Sequence, residues 1–390
     1  MKQLTTLFFC VLIFSQCQKD PIDTTKYSCR FSVDEKLINH PHSNDFMDVL
    51  VQHRKNAIAG GVALVKDKDG LWIGADGYAD LASKTNIEIC NPLLIASITK
   101  MFTATCVLKQ TEMNAIDLES KISNYLPAQW IKNISNANIA TVKQLLNHTS
   151  GIPDFYDNPR FELARINVDN NHFSTREVLA YAEKLDPYFT PGSDYEYSNT
   201  NYLLLGLILE QVTGKELSEV YKTTIFNPLG IQSGYYSVNQ PFPSDLVTGY
   251  GEVNDGELIE TKWLYVDEMG TADGGIAINI YDLYLFAEGL FEGDLLLDET
   301  KEKMLASITL KEDDSETILG HQRNGLGIEI YDTPFGGEGF GHTGGIDGFL
   351  SYLMYFPSSK SFVIYLQNTA SHDNDDRIAI IDGLTKLMAK

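Results

Sequence analysis

Short apolar runs broken by Gly, Pro and Asp turns lie near both ends of the chain, and helical spacing fills the middle. Residues 57–65 form an apolar, glycine-containing run, the polar stretch 66–70 ends in Asp69-Gly70, and 71–77 resume the run. Two short β-patterns around an Asp-Gly pair predict a hairpin. A second, more apolar hairpin is predicted by 349–356, the turn Pro357-Ser358-Ser359-Lys360, and 361–367. The final stretch, 375–389, places Ile378, Ile381, Leu384 and Leu387 on one face of an amphipathic helix.

Between the hairpins the period changes to that of a helix. Residues 141–148 begin with Thr141 and Gln144, and 174–185 with Ser174 and Glu177, both in capping-box spacing. Residues 200–213 are strongly apolar and stop at Gly214; they are too short to span a bilayer and read as buried core. Residues 216–226, 281–291 and 298–306 add further helical patterns. No internal repeat or low-complexity tract interrupts them. The whole predicts an α+β fold, with an antiparallel sheet built from both ends of the chain and flanked by N- and C-terminal helices. A mostly helical lobe is inserted. The boundaries expected are about 44–95 and 270–390 for the sheet lobe and about 96–269 for the helical one, with a cleft between them.

Composition narrows the choice of partners. The 390 residues are 43% hydrophobic, enough for one large core or two modest ones. A formal net charge of −23 argues against nucleic acid or an anionic membrane surface, both of which need a basic face. The partner expected is a small-molecule or peptide substrate, and the chain is read as a monomer. Residues 1–16 read as an export signal: Lys2 supplies the charged start and 4–14 an apolar run too short for a membrane helix. Cys17 follows, then a polar tether through 17–43. This resembles the start of a bacterial lipoprotein and implies lipidation at Cys17, although Gln16 departs from the small residue usual there. The expected location is the bacterial cell envelope, anchored or periplasmic, or secretion, with membrane contact only through that lipid.

Cys29, Cys90 and Cys106 remain after the signal. Export permits a Cys29–Cys90 bridge, whereas Cys106 falls among apolar residues and reads as core. No spacing predicts a metal, and His40 and His42 around Pro41 read as a polar loop.

The candidate chemistry begins at Ser97. Pro92 discourages helix before it, and Ile98, Met101, Phe102, Thr105 and Leu108 then fall at helical spacing. Ser97 therefore opens a helix, with Lys100 on the same face one turn later. A serine hydroxyl needs a base, and a buried lysine can serve if it is uncharged. Bringing its pKa from about 10.4 towards 7 means a desolvation penalty of roughly 4–5 kcal/mol. A Ser-x-x-Lys spacing arises about once by chance in such a chain, so it needs partners.

Two segments supply them. Tyr197-Ser198-Asn199 sits between the Pro191-Gly192 turn and the apolar helix, where a phenol can relay a proton and an amide can hold a substrate. Tyr156-Asp157-Asn158 has the same spacing but lacks the following helix and ranks below it. His342-Thr343-Gly344-Gly345 precedes the second hairpin; its glycines allow close approach of a ligand, and His342 is expected to titrate near neutral pH and to meet a leaving group or a carboxylate. His148-Thr149-Ser150-Gly151 reads as the stop of a capped helix.

Taken in order, Ser97-Ile98-Thr99-Lys100, Tyr197-Ser198-Asn199 and His342-Thr343-Gly344 resemble the serine beta-lactamase and penicillin-binding superfamily, nearest to class C beta-lactamases, D-Ala-D-Ala carboxypeptidases and related esterases. The segments 144–153, 197–214, 227–230 and 273–276 share the likeness, which covers about 44–390. The resemblance implies acyl transfer with Ser97 as nucleophile and with Lys100 and Tyr197 moving its proton. Asn199, His342, Thr343, Gly344 and Gly345 would bind substrate, the N–H groups of Ser97 and Gly345 would hold the oxyanion, and no cofactor is needed. His342 stands where class C enzymes usually carry lysine, which disfavours efficient beta-lactam hydrolysis. The function expected first is a D-Ala-D-Ala carboxypeptidase or D-peptidase acting on cell-wall-type peptides. An esterase or amidase, a weak beta-lactamase and a non-turning-over penicillin sensor stay open.

Overall fold

The computed structural model describes residues 28–29, 33, 38–54, 58–167, 173–236, 243–254, 257–261, 271–308, 316–317, 320–370 and 375–390. The expected signal, Cys17 and most of the tether lie outside the described residues.

Helix α1 (Ser43–His53) leads into strands β1 (Gly60–Asp67) and β2 (Gly70–Asp80), which pair antiparallel around the expected Asp-Gly turn. The long helix α2 (Thr99–Glu112) follows, then α3 (Val142–Leu146), α4 (Pro159–Asn167), α5 (Asn199–Thr213) and α6 (Ile280–Phe291). Strands β3 (Glu329–Thr333), β4 (Gly337–Ile346), β5 (Phe349–Phe356) and β6 (Ser361–Gln367) precede helix α7 (Asp375–Met388). Among the described residues nine strands form one sheet: Thr85–Asn86, β2, β1, β6, β5, β4, β3, Gly320–Asn324 and Glu316–Thr317. Its pairings are antiparallel throughout, and β1 meets β6 in the register Ala63↔Tyr365 and Val65↔Val363.

Alternation along these strands divides the core in two. Ala63, Val65, Tyr352, Met354, Val363 and Tyr365 face Phe46 and Leu50 of α1 and Ile381 and Leu384 of α7. Val62, Leu64, Leu353, Ile364 and Leu366 face the larger cluster built on α2, α5 and α6. A sheet apolar on both faces must be covered on both, and the chain's two terminal helices cover one of them. Within α7 the buried stripe runs through Ile380, Ile381, Leu384 and Met388, while Ile378 is only partly buried, so the helix is rotated from the face expected.

Several local signals fold as read. Thr141 and Ser174 each make a capping box, and Gly214 ends α5 in the left-handed conformation at φ +66°. The Ser174 helix stops early, at Leu179. Helix α2 departs further: it is buried almost all round, from Thr99 to Leu108, rather than along one stripe. Cys29 and Cys90 form a disulfide, and Cys106 is a buried core thiol. His40 Nε2 lies 2.9 Å from buried Asp67, and His42 Nδ1 lies 3.0 Å from Asp45, so each histidine serves the local fold. No helix among the described residues is long and apolar enough to cross a membrane.

Candidate active site

Three contacts fix the backbone just before Ser97. Leu93–Leu94 pairs with Ala277–Ile278, Ile95 N donates to Ile276 O at 3.0 Å, and Ser351 Oγ donates to Ile95 O at 2.8 Å. Ala96 then adopts the left-handed region at φ +46°, a strain of about 1–2 kcal/mol for a residue with a Cβ. A short 3-10 turn, Ala96–Ile98, runs into α2, which sets Ser97 at the positive end of a buried helix.

Lys100 is fully buried one turn further on. Its Nζ lies 2.9 Å from Ser97 Oγ and 2.8 Å from the carbonyl oxygen of Asp273. Tyr197 OH donates to the same Ser97 Oγ at 3.0 Å. Segments distant in sequence thus converge on one hydroxyl.

Tyr197 is itself supported. Its ring stacks on His148 at 4.3 Å and 25°, and Lys100 Nζ lies 5.0 Å from its centroid. Burial pushes the phenol well above its ordinary pKa, so it holds its proton and donates. His148 is buried, and that burial, with the nearby Lys100 and His342, holds the imidazole well below its ordinary pKa. Its uncharged Nδ1 accepts the N–H of Ser198 at 3.1 Å, which fixes the chain between Tyr197 and Asn199.

Asn199 is held from the other side. Its backbone N and its Nδ2 both donate to Asp154 Oδ2, at 2.7 and 2.9 Å. Burial pushes the Asp154 carboxyl up to about 6, against the opposing hydrogen bonds from Asn199 and Tyr156. Because Nδ2 is anchored there, the amide oxygen is the group left to accept from a substrate N–H. Asp273, whose carbonyl holds Lys100, is buried as well. Burial raises its carboxyl, and the nearness of Lys100 opposes that.

Strand β4 forms the opposite wall. Gly344 lies against the serine turn so closely that a Cβ there would sit 2.3 Å from Ser351 Oγ and 2.5 Å from Ile95 O. Beyond Gly341, which pairs with Glu329, the outer edge of β4 has outrun β3. At that edge Thr343 N donates to Glu329 Oε2 at 2.6 Å. By the repeat of a strand, the N–H of exposed Gly345 points to the same edge. The side chain of Thr343 is across from Tyr352, on the α7 face of the sheet, and its hydroxyl donates to Glu329 Oε1 at 3.4 Å.

His342 departs from expectation. It is 3% exposed, and burial lowers its pKa from the ordinary value, so it is uncharged at neutral pH. Its Nδ1 lies against Thr343 O and must carry the proton, which leaves Nε2 as an acceptor. The Tyr156-Asp157-Asn158 spacing is accounted for structurally: Tyr156 packs edge-on to Phe161, Tyr188 OH bonds Asp157, and Asn158 Nδ2 donates to Tyr181 O. His148, read from sequence as a helix stop, belongs to the site's scaffold together with Asp154, Asp273 and Glu329. The first three lie in or beside the segments 144–153 and 273–276 that carried the family likeness. Among the described residues the group with metal-ligand spacing is Cys29, Glu88 and Cys90, and the disulfide occupies both its sulfurs.

Comparison with known proteins gives the family of the chain. A model of the Beta-lactamase family matches residues 45–384, and the chain belongs to that family as a serine hydrolase. A penicillin-binding protein of Bacillus subtilis (strain 168) is 27% identical over 332 residues, which are 80% of this chain and 69% of that protein. A D-aminopeptidase of Cereibacter sphaeroides (strain KD131 / KCTC 12085) is 30% identical over 193 residues, 49% of this chain and only 36% of that protein. The structure of a D-stereospecific amidohydrolase from Streptomyces sp. superposes with a TM-score of 0.75 at 25% identity, covering 88% of this chain and 98% of the other.

Proposed function

We propose that the chain is a peptidase or amidase selective for acyl groups of D configuration, acting through an ester on Ser97. The observation that carries this is the Ser97 hydroxyl lying within hydrogen-bond distance of both a buried amine and a protonated phenol. An uncharged Lys100 can donate to Asp273 O and turn its lone pair towards the Ser97 O–H. Ser97 Oγ attacks the amide carbonyl and gives its proton to Lys100; as the C–N bond breaks, Tyr197 passes its proton to the departing nitrogen and takes the proton held by Lys100 in its place. Water then attacks the carbonyl carbon of the ester, giving a proton to Lys100 that is returned to Ser97 Oγ as the C–Oγ bond breaks and the acid leaves. The N–H groups of Ser97 and Gly345 would take up the oxyanion, each such donor being worth about 3 kcal/mol in the transition state. Asn199 would accept from the substrate N–H.

The preference for D-acyl groups is supported by the named activities of two of the relatives above. A matched pair of D- and L-alanyl p-nitroanilides tests it, with acylated enzyme trapped by acid and weighed. The expected result is release from the D substrate together with an added acyl mass on the Ser97 peptide; equal rates on both enantiomers would refute the stereochemical reading. In the same reading the enzyme is exported and tethered by a lipid on Cys17, which the extracytoplasmic-style bridge Cys29–Cys90 supports. Labelled palmitate that is incorporated into the full chain and lost in Cys17→Ser would agree with it.

A further inference from the structure

Acyl transfer at Ser97 does not by itself fix what the departing group carries, and the outer edge of β4 bears on this. On that reading the scissile carbonyl sits at Gly345 N–H and the leaving group lies over His342 and Thr343. Two residues along a strand span about 6–7 Å. The Thr343 N–H is therefore the next donor along the edge, where a terminal carboxylate one residue beyond the scissile bond would seek a partner.

That donor is already taken by a carboxylate of the protein. Glu329, 6% exposed, accepts from Thr343 N at 2.6 Å, from Thr343 Oγ1 at 3.4 Å and from Tyr331 OH at 3.2 Å. Its Oε1 also lies 3.7 Å from His342 Nδ1. The protein thus fills, with its own acid, the set of donors that a substrate acid would need.

Among the described residues the basic side chains nearby do not supply a replacement. Lys100 is engaged by Ser97 and Asp273. Arg165, reaching over from α4, bonds Asp347 in the β4–β5 turn and Glu162. Arg377 is half-buried beneath β5 on the α7 side of the sheet, where it donates to Ser351 O at 3.3 Å. It can offset the charge of Glu329 but does not release the Thr343 donors. His342, with its proton on Nδ1, offers an acceptor rather than a positive charge. A like charge brought against a buried carboxylate is repelled, whereas a neutral amide or an ammonium can donate to these same acceptors.

We propose that the leaving-group end of this cleft rejects a free C-terminal carboxylate, so that the substrate's departing portion is neutral or cationic: an amide, an amine or the continuation of a longer peptide. This rests on acyl transfer at Ser97, and it makes Glu329 a specificity-determining residue of that reaction.

The test is a matched pair differing only in the terminal group, N-acetyl-D-Ala-D-Ala and N-acetyl-D-Ala-D-alaninamide. The corresponding D-lactate and D-lactamide esters serve where the peptides are slow, and a fluorophosphonate reports on Ser97 independently. The full chain is expected to favour the amide-ended member by about tenfold or more in kcat/KM. Glu329→Gln should narrow that ratio, chiefly by lowering KM for the acid. His342→Lys, which places a permanent positive charge beside Glu329, should narrow it as well. Equal or better use of the free acid by the unaltered protein overturns the proposal, as does a ratio indifferent to both substitutions. If Ser97 resists the fluorophosphonate and neither pair is cleaved, the acyl-transfer reading falls first and the inference with it.

Discussion

The two sides of the Ser97 site are built on opposite principles. The helical wall gathers its chemistry by burial: Lys100 is sunk completely, Tyr197 is stacked on His148, and both point at one oxygen. The strand wall works through backbone, with Gly344 pressed against the serine turn and the edge N–H groups of Thr343 and Gly345 set by strand register. One wall holds protons and the other holds shape. Damage to the first should therefore appear in chemistry, and damage to the second in binding and alignment.

The comparison can be broken most severely at its centre. Ser97→Ala should remove roughly 10⁴–10⁶ of kcat and abolish the acyl mass, while thermal unfolding hardly moves. Lys100→Ala and Tyr197→Phe, which spare the nucleophile, should each cost about 10²–10⁴ in kcat. The double substitution should cost much less than the product of the two if, as proposed, both serve one proton path. Equal and additive losses would show that the groups work separately. On the strand wall, Gly344→Ala should lower kcat/KM by about 10², because its Cβ can enter only by pushing β4 away from Ile95 and Ser351. Its pH profile should match that of the parent; a changed profile would mean that the strand also tunes protons.

The smallest effect tests the scaffold of the helical wall. The Asp154 carboxyl is raised to about 6 by burial, so the folded state favours its neutral form. The stability tied to that proton is fully present below the unfolded value near 3.9 and is lost as pH rises through about 6. Its size is at most about 2–3 kcal/mol. Asp154→Asn should flatten the decline in unfolding free energy between about pH 4 and 6, as measured by urea denaturation across that window. An unchanged slope would assign the decline to another group.

What could be read from the sequence follows the same division. Ser97 and Lys100 were legible because one helical turn fixes their relation, and Tyr197 because a Pro-Gly turn and an apolar helix bracket it. Thr141 and Ser174 announced their own caps. His148, Asp154 and Glu329 were not legible, since each acts through a partner set by long-range pairing: Glu329 meets Thr343 only because β3 registers Glu329 against Gly341. His342 misled for a related reason. Its ordinary titration is a property of an exposed ring, and only the packed strand reveals its burial. Helix α2 misled because a one-sided apolar stripe was expected where neighbours cover every side.

The left-handed backbone at Ala96, and likewise at His148 with φ +58°, bears on how this chain can drift. Neither residue is glycine, yet both hold a conformation that branched side chains strongly resist. Among descendants of this sequence, position 96 should admit glycine or asparagine far sooner than valine or isoleucine, although an alanine there performs no chemistry. Torsion, rather than reactivity, sets the alphabet allowed beside Ser97.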